Sequence, residues 1–208
     1  MHPPLIIKQY GVTLERLQEA DIELVRNGRN QDFVRQNHLE RALISAEQQK
    51  LWWQRINPQN DYYFLIEKQN KKIGMVYIKD LKSESLTGNI GIFIWDKNYL
   101  KTRIPALVTI LFGEFFYCHV KIKEMRAVVL KTNTPMLNIF KFFEFRSMEV
   151  SGAEYLQLHL TRDEFESRRA HYTAFARRLA RESATWELQI TGTRSSNHLP
   201  QVNDLLSG

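Results

Sequence analysis

The chain has 208 residues, 43% of them hydrophobic, enough for one well-buried core and too little for two comfortable ones. Its 29 Lys and Arg against 23 Asp and Glu give a formal charge of +6, which favours anionic partners such as nucleotides, pyrophosphates or nucleic acid, or a solvated basic surface. A single cysteine excludes an internal disulfide, and no run approaches the ~18 apolar residues a membrane helix needs.

In chain order, Met1-His2-Pro3-Pro4 lacks the charged-then-apolar layout of a secretory signal, so a cytoplasmic protein without membrane insertion is expected. Residues 10–17 (YGVTLERL) read as the first strand, and Glu19 to Asn27 as a helix with Ile22, Leu24 and Val25 facing a core. Arg29 to Leu43 is polar and irregular. Ser45 and Gln48 form a capping box that opens a second helix carrying Leu51, Trp52 and Trp53, and Pro58 marks its end. Three strand-like runs follow, from Tyr62, Lys72 and Asn89, separated by short polar turns that suit an antiparallel meander.

Ile104 to Cys118 is almost wholly apolar and predicts a buried helix, in which Cys118 serves as a small core residue. MRAVVL from Met125 is a further strand, and Thr134-Pro135 predicts a short helix with Thr134 as its cap. Strands FRSMEV from Phe145 and YLQLHL from Tyr155 come next. A Thr161–Glu164 capping box then starts a helix to about Arg181. The expected organisation is one α/β domain over residues 1–183, with a mostly antiparallel central sheet flanked by helices, and a polar tail over 184–208. Packing of that tail on the domain, or on a second copy in a homodimer, is left open.

This order resembles the GNAT superfamily of N-acyltransferases over roughly residues 10–172. The resemblance is carried by Arg29-Asn30, by Ile44-Ser45 with Trp53 downstream, by NIGIFI from Asn89, and by NTPMLNIFKFFEF from Asn133. The N-terminal half is most similar to two branches: enzymes that acetylate protein N-termini on the ribosome, and enzymes that acylate amino sugars carried on a nucleotide. It implies an acyl-coenzyme A (acetyl-CoA or a larger acyl-CoA) as co-substrate and no metal.

The chain departs from the family pattern twice. The family's Gly-rich turn after the fourth strand, whose N–H groups cradle a pyrophosphate at a helix N-terminus, is here Leu100-Lys101-Thr102-Arg103-Ile104-Pro105. One reading is a decayed coenzyme site. The other, preferred because random decay would not leave a basic loop before a helix, is that Lys101, Thr102 and Arg103 hold the phosphates partly through side chains, with the dipole at Ile104 still available. Secondly, Phe140 stands where many members carry the tyrosine that protonates the departing thiolate, and it has no proton to give.

By the same resemblance, the backbone of Phe93, Ile94 and Trp95 would bond the pantetheine arm, with an N–H at Ile94 polarising the thioester carbonyl. Asn133 and Asn138 would flank the arm from the other side. His38 is the candidate base, because imidazole titrates near neutral pH, and Asn89 stands where some relatives carry a carboxylate. Arg29, Asn30, Arg41 and Trp53, with His38, are the acceptor-side candidates: arginine clamps phosphates and an indole face stacks on a base or sugar. On an amphipathic helix Trp52 and Trp53 equally serve as core residues.

The resulting expectation is acyl transfer to the amino group of a nucleotide-linked deoxyamino sugar for a surface polysaccharide. Rival readings are a protein N-terminal or aminoglycoside acetyltransferase and a GNAT-like binding protein without chemistry. A nucleic-acid role fares worst, since Asp163, Glu164, Glu166 and Glu182 dilute the arginines from Arg168 to Arg181 into a solvated helix face.

Overall fold

The computed structural model describes residues 4–180 and 187–192. Its strands are β1 (Leu5–Gln9), β2 (Val12–Arg16), β3 (Tyr62–Lys68), β4 (Lys71–Lys82), β5 (Thr87–Ile94), β6 (Glu124–Leu130), β7 (Arg146–Glu149), β8 (Tyr155–Thr161) and β9 (Gln189–Gly192). Its α-helices are α1 (Ile22–Arg29), α2 (Asp32–Arg35), α3 (Ala46–Arg55), α4 (Lys97–Leu100), α5 (Ile104–Gly113), α6 (Thr134–Phe142) and α7 (Arg162–Ala180). A π-helical turn, Glu114–His119, extends α5 and completes the apolar run. The strands form one sheet in the order β7-β8-β6-β5-β4-β3-β2-β1-β9.

The expected α/β architecture holds, including the antiparallel meander β3-β4-β5. Both capping boxes form: Ser45 Oγ accepts from the Gln48 N–H at 3.1 Å, and Glu164 accepts from the Thr161 N–H at 2.9 Å. Five local readings need correction, the first being that Leu24 is exposed on α1 while Ile22 and Val25 face the core as expected. The first strand is split, because Tyr10 and Gly11 turn with positive φ and the hydrophobic alternation continues backwards into β1. The irregular stretch after Arg29 contains α2. Asn133, not Thr134, caps α6, its Oδ1 accepting from the Met136 N–H at 3.3 Å. Part of the expected tail is sheet: Gln189–Gly192 pairs antiparallel with β1. The other residues of 184–208, and the expected end of α7 at Arg181, lie outside the described residues.

The two sheet faces carry different cores. One face packs α5, the π turn and α7 over a large apolar cluster, rich in Phe64, Phe112, Phe115 and Phe116. Cys118 belongs to it as expected, and burial, then the charge of Glu114, pushes its thiol up to about 11, so it stays protonated. Glu114 is itself buried and held by Arg169 at 2.8 Å. The opposite face is smaller and more aromatic: Tyr63, Phe93 and Trp95 lie there with Val25 and Val34, and Trp52 and Trp53 of α3 pack at its edge.

The feature that positions the site is the junction of β5 and β6. These strands run parallel and pair only from Thr87 to Asn89 against Glu124 to Arg126. Beyond Asn89 they separate, and the sheet is open along the rest of β5.

Candidate active site

The opening between β5 and β6 is a cavity of about 600 Å³. Its walls are β5 from Ile90 to Ile94, β6 from Ala127 to Val129, α6, and the α2 segment with His38.

The polarity of β5 follows from its pairing. The Trp95 N–H donates to the Ile73 carbonyl at 2.9 Å, and a side chain on Gly74 would meet the Phe93 carbonyl. In an antiparallel pair, alternate residues turn both backbone groups to the same neighbour. The register Tyr77↔Gly91 and Met75↔Phe93 therefore commits Gly91, Phe93 and Trp95 to β4. Ile92 and Ile94 turn theirs to the opposite edge, where β6 has already separated. This edge presents the N–H and C=O groups that an extended amide chain would pair with, as an added strand does.

The sequence candidates distribute accordingly. Ile94 lines the cavity and its backbone faces it, whereas the backbone groups of Phe93 and the Trp95 N–H are spent on β4. Phe93 still lends its ring to the wall. Trp95 is buried behind it, with its indole N–H on the Lys72 carbonyl at 3.1 Å and its ring against Gly28. Ile92 is the partner that sequence reasoning passed over.

Asn133, Asn138 and Phe140 all line the α6 wall. Phe140 is 4% exposed and packs edge-on to Phe145 at 4.6 Å, so no proton donor stands there.

At the other rim the β5–α5 loop brings Lys101 to the cavity. Thr102 is engaged within the loop itself, where its Oγ1 donates to the Tyr99 carbonyl at 2.8 Å and accepts the Ile104 N–H at 3.2 Å. Pro105 has no N–H, so the first turn of α5 has little backbone to offer an anion. Lys101 is the cation of this loop that lines the cavity, and the half-buried Arg103 follows it in the loop without lining the cavity.

At the acceptor end, His38 packs edge-on to Phe93 at 5.4 Å. Burial, and then the positive charge of Arg29, lowers its imidazole from 6.5 to about 4, leaving a neutral acceptor at physiological pH. Arg29 lies behind it, with Nη2 donating to the Glu40 carbonyl at 2.8 Å and Nη1 buried without a hydrogen-bond partner among the described residues. Arg41 is exposed, 3.9 Å from Glu154, and does not line the cavity.

Besides Trp95, Thr102, Arg103, Ile104, Arg29 and Arg41, which stand outside its lining, three further candidates are not brought to the cavity. Asn30 is a structural clamp that donates to and accepts from the Ile44 backbone at 2.8 Å each. Asn89 is exposed on β5 and donates to Asp80 at 3.1 Å. Trp53 packs on the aromatic face without lining the cavity.

Sequence reasoning also missed Tyr77, Phe33 and Asn37, all in the wall. Tyr77 faces Gly91 across the β4–β5 pair, and a Cβ at Gly91 would overlap its ring and hydroxyl. The phenol therefore lies across β5, and burial raises its pKa, keeping it protonated. The available signal was a lone glycine in an otherwise bulky strand, which marks a close approach by a neighbour.

Among the described residues no group of three His, Cys, Asp or Glu is placed to hold a metal ion, and no helix is long and apolar enough to cross a membrane.

None of the curated proteins matches the chain by sequence. Among solved structures, the chain is similar to spermidine N-acetyltransferase from Vibrio cholerae in complex with CoA and spermine, with a TM-score of 0.67 and 13% identity over 75% of this chain and 98% of that one. It is also similar to Mycobacterium smegmatis RimJ in complex with CoA-disulfide, with a TM-score of 0.64 and 18% identity over 86% and 98%. A domain from Methanocaldococcus jannaschii gives 0.63 and 18% over 76% and 99%. At these identities the likeness is one of fold. The sequence itself matches the family model of the acetyltransferase (GNAT) domain over residues 12–146, well over half its length. With that match and a cleft edged by free strand backbone, the chain belongs to the GNAT acetyltransferase family and is an acyl-CoA-dependent N-acyltransferase.

Proposed function

We propose that the acceptor is the amino group of a nucleotide-linked amino sugar, attacked directly by the neutral amine. One observation carries this reading: among the described residues lining the cavity there is no Asp or Glu, while Lys101 and His38 line it and Arg29 stands behind His38. A polyamine or an aminoglycoside is a polycation and needs carboxylates to hold it. A nucleotide diphosphate brings negative charge that suits Lys101 and, beyond the cavity wall, Arg29 and the exposed Arg41.

The same electrostatics favour amines that shed their proton easily. A desolvated ammonium beside a buried guanidinium is destabilised, so an amine titrating near 8, as an α-amine does, arrives neutral more readily than a lysine-like amine near 10.4. This also keeps a protein N-terminus as a second reading.

In this account Ile92 and Ile94 hold the pantetheine amides along the free edge of β5, and the Ile94 N–H polarises the thioester carbonyl. Alignment supplies most of the rate gain. His38, neutral and accepting, takes the proton that the nitrogen loses. With Phe140 in place of an acid, the thiolate leaves unassisted. The acyl group is acetyl or larger, the cavity wall at Ile90, Ala127 and Val129 being apolar throughout.

The test is thiol release from acetyl-CoA with nucleotide-linked amino sugars, free-α-amine peptides, spermine and kanamycin as acceptors. The account expects turnover with the first class, weaker turnover with the second, and none above background with the polycations. Preference for spermine would overturn it.

A further inference from the structure

We infer that Tyr77 is a substrate-touching residue of this enzyme, its hydroxyl passing over Gly91 to accept a hydrogen bond from the incoming amine and aim the nitrogen at the thioester. The inference rests on the proposed direct-attack reading and names a group of that same site.

The geometry leads there in steps. Tyr77 and Gly91 are cross-strand partners, so their side chains leave the sheet on the same face. That face is the aromatic one, shared with Tyr63 and Phe93, and the missing side chain of Gly91 is the space that the phenol occupies. Tyr63 packs on the Tyr77 ring at 5.2 Å, and Trp52 on Tyr63 at 5.1 Å, so a row of rings fixes the phenol from behind. Tyr77, Gly91, Phe93 and His38 then line one end of the cavity together. A hydroxyl carried in the cavity wall can accept a hydrogen bond, and an amine N–H supplies one.

The step balances without further reagents. The amine nitrogen bonds to the thioester carbon while one N–H remains on the Tyr77 oxygen. The C–S bond then breaks with its electron pair leaving on sulfur, and the surplus proton on nitrogen goes to His38. Tyr77 stays protonated throughout, so its contribution is orientation.

Three readouts test this: coenzyme A binding by thermal shift, acetylation of hydroxylamine, and acetylation of the nucleotide-sugar panel. Hydroxylamine is a small amine that needs no further recognition. Tyr77→Phe keeps the ring and its packing. It is expected to lower kcat/KM for the amine by about 100-fold, the size seen when one positioned hydrogen-bonding group is removed, with the KM for acetyl-CoA and the thermal shift unchanged. Gly91→Ala, which displaces the phenol without removing it, should cause a similar loss. Gly91→Ala/Tyr77→Ala should lose no more than Tyr77→Ala alone, since both act on one contact.

Unchanged kcat/KM in Tyr77→Phe overturns the inference. Wild-type turnover of hydroxylamine but of none of the sugars overturns the proposed acceptor and leaves Tyr77 still decided by its own variant. A wild type that binds coenzyme A and acetylates neither overturns both.

Discussion

The two ends of the cleft are built on opposite principles. The proposed donor end relies on backbone, the free edge of β5 at Ile92 and Ile94, and on a loop in which we propose that Lys101 and Arg103 stand in for glycine-rich N–H groups. The acceptor end relies on side chains from far apart in the chain, with His38, Tyr77 and Phe93 brought together by an aromatic layer. Backbone edges tolerate substitution, because every residue but proline carries the same donor and acceptor. The free edge of β5 is accordingly independent of the loop's lack of glycine. Side-chain sites have no such tolerance, and in the proposed account the acceptor end is where substrate identity is set.

Three perturbations sharpen this contrast. The largest concerns His38. Its imidazole titrates at about 4 in the folded chain against 6.5 ordinarily, so the folded state binds fewer protons than the unfolded one between those values. This contribution is fully present above pH 6.5 and is lost as pH falls through about 4, to the extent of about 3 kcal/mol. Melting temperatures from pH 7 to 4 are expected to fall less steeply in His38→Gln than in the wild type. Equal slopes would show that burial does not hold the imidazole neutral.

Next comes the wall behind the acceptor end. A Cβ at Gly28 would sit 2.6 Å from the Trp95 indole, so Gly28→Ala forces α1 and the ring apart. Overpacking of this kind costs about 2 kcal/mol. Calorimetry should register that loss together with weakened amine turnover, while coenzyme A still raises the melting temperature. The smallest effect belongs to the donor end: Arg103→Ala should weaken coenzyme A by about tenfold in a titration, as expected for one charge-assisted contact. No change in either Arg103→Ala or Lys101→Ala would return the phosphate site to the backbone of α5.

Much of the fold was legible because its signals are local. The Ser45–Gln48 and Thr161–Glu164 boxes, the run from Ile104 to Cys118 and the three-strand meander each declare themselves within a few residues. Asn133 was misjudged against Thr134 by one position because both residues cap well and Pro135 fits either. β1 and β9 were hidden because a strand of four or five residues is decided by its partners, and the edge strand β9 finds β1 across most of the chain.

The site was legible where it is a motif and opaque where it is a register. Ile94, Asn133, Asn138 and His38 were found from segment resemblance and residue chemistry, and all line the cavity. The commitment of Phe93 and Trp95 to β4 depends on which residues of β5 turn which way, and one position reverses it. Tyr77 needs the same register, since nothing in KIGMVYI says that Gly91 will lie opposite it.

The most direct test of the account is residue-resolved amide hydrogen exchange along β5, with and without coenzyme A. The account predicts that Ile92 and Ile94, whose N–H groups face the open cleft, exchange readily in the free protein and become protected on binding. Gly91 and Phe93, already bonded to β4, should be protected in both states. Protection that appears instead at Gly91 and Phe93, or no change at Ile92 and Ile94 with coenzyme A bound, would contradict a donor site built on the free edge of β5.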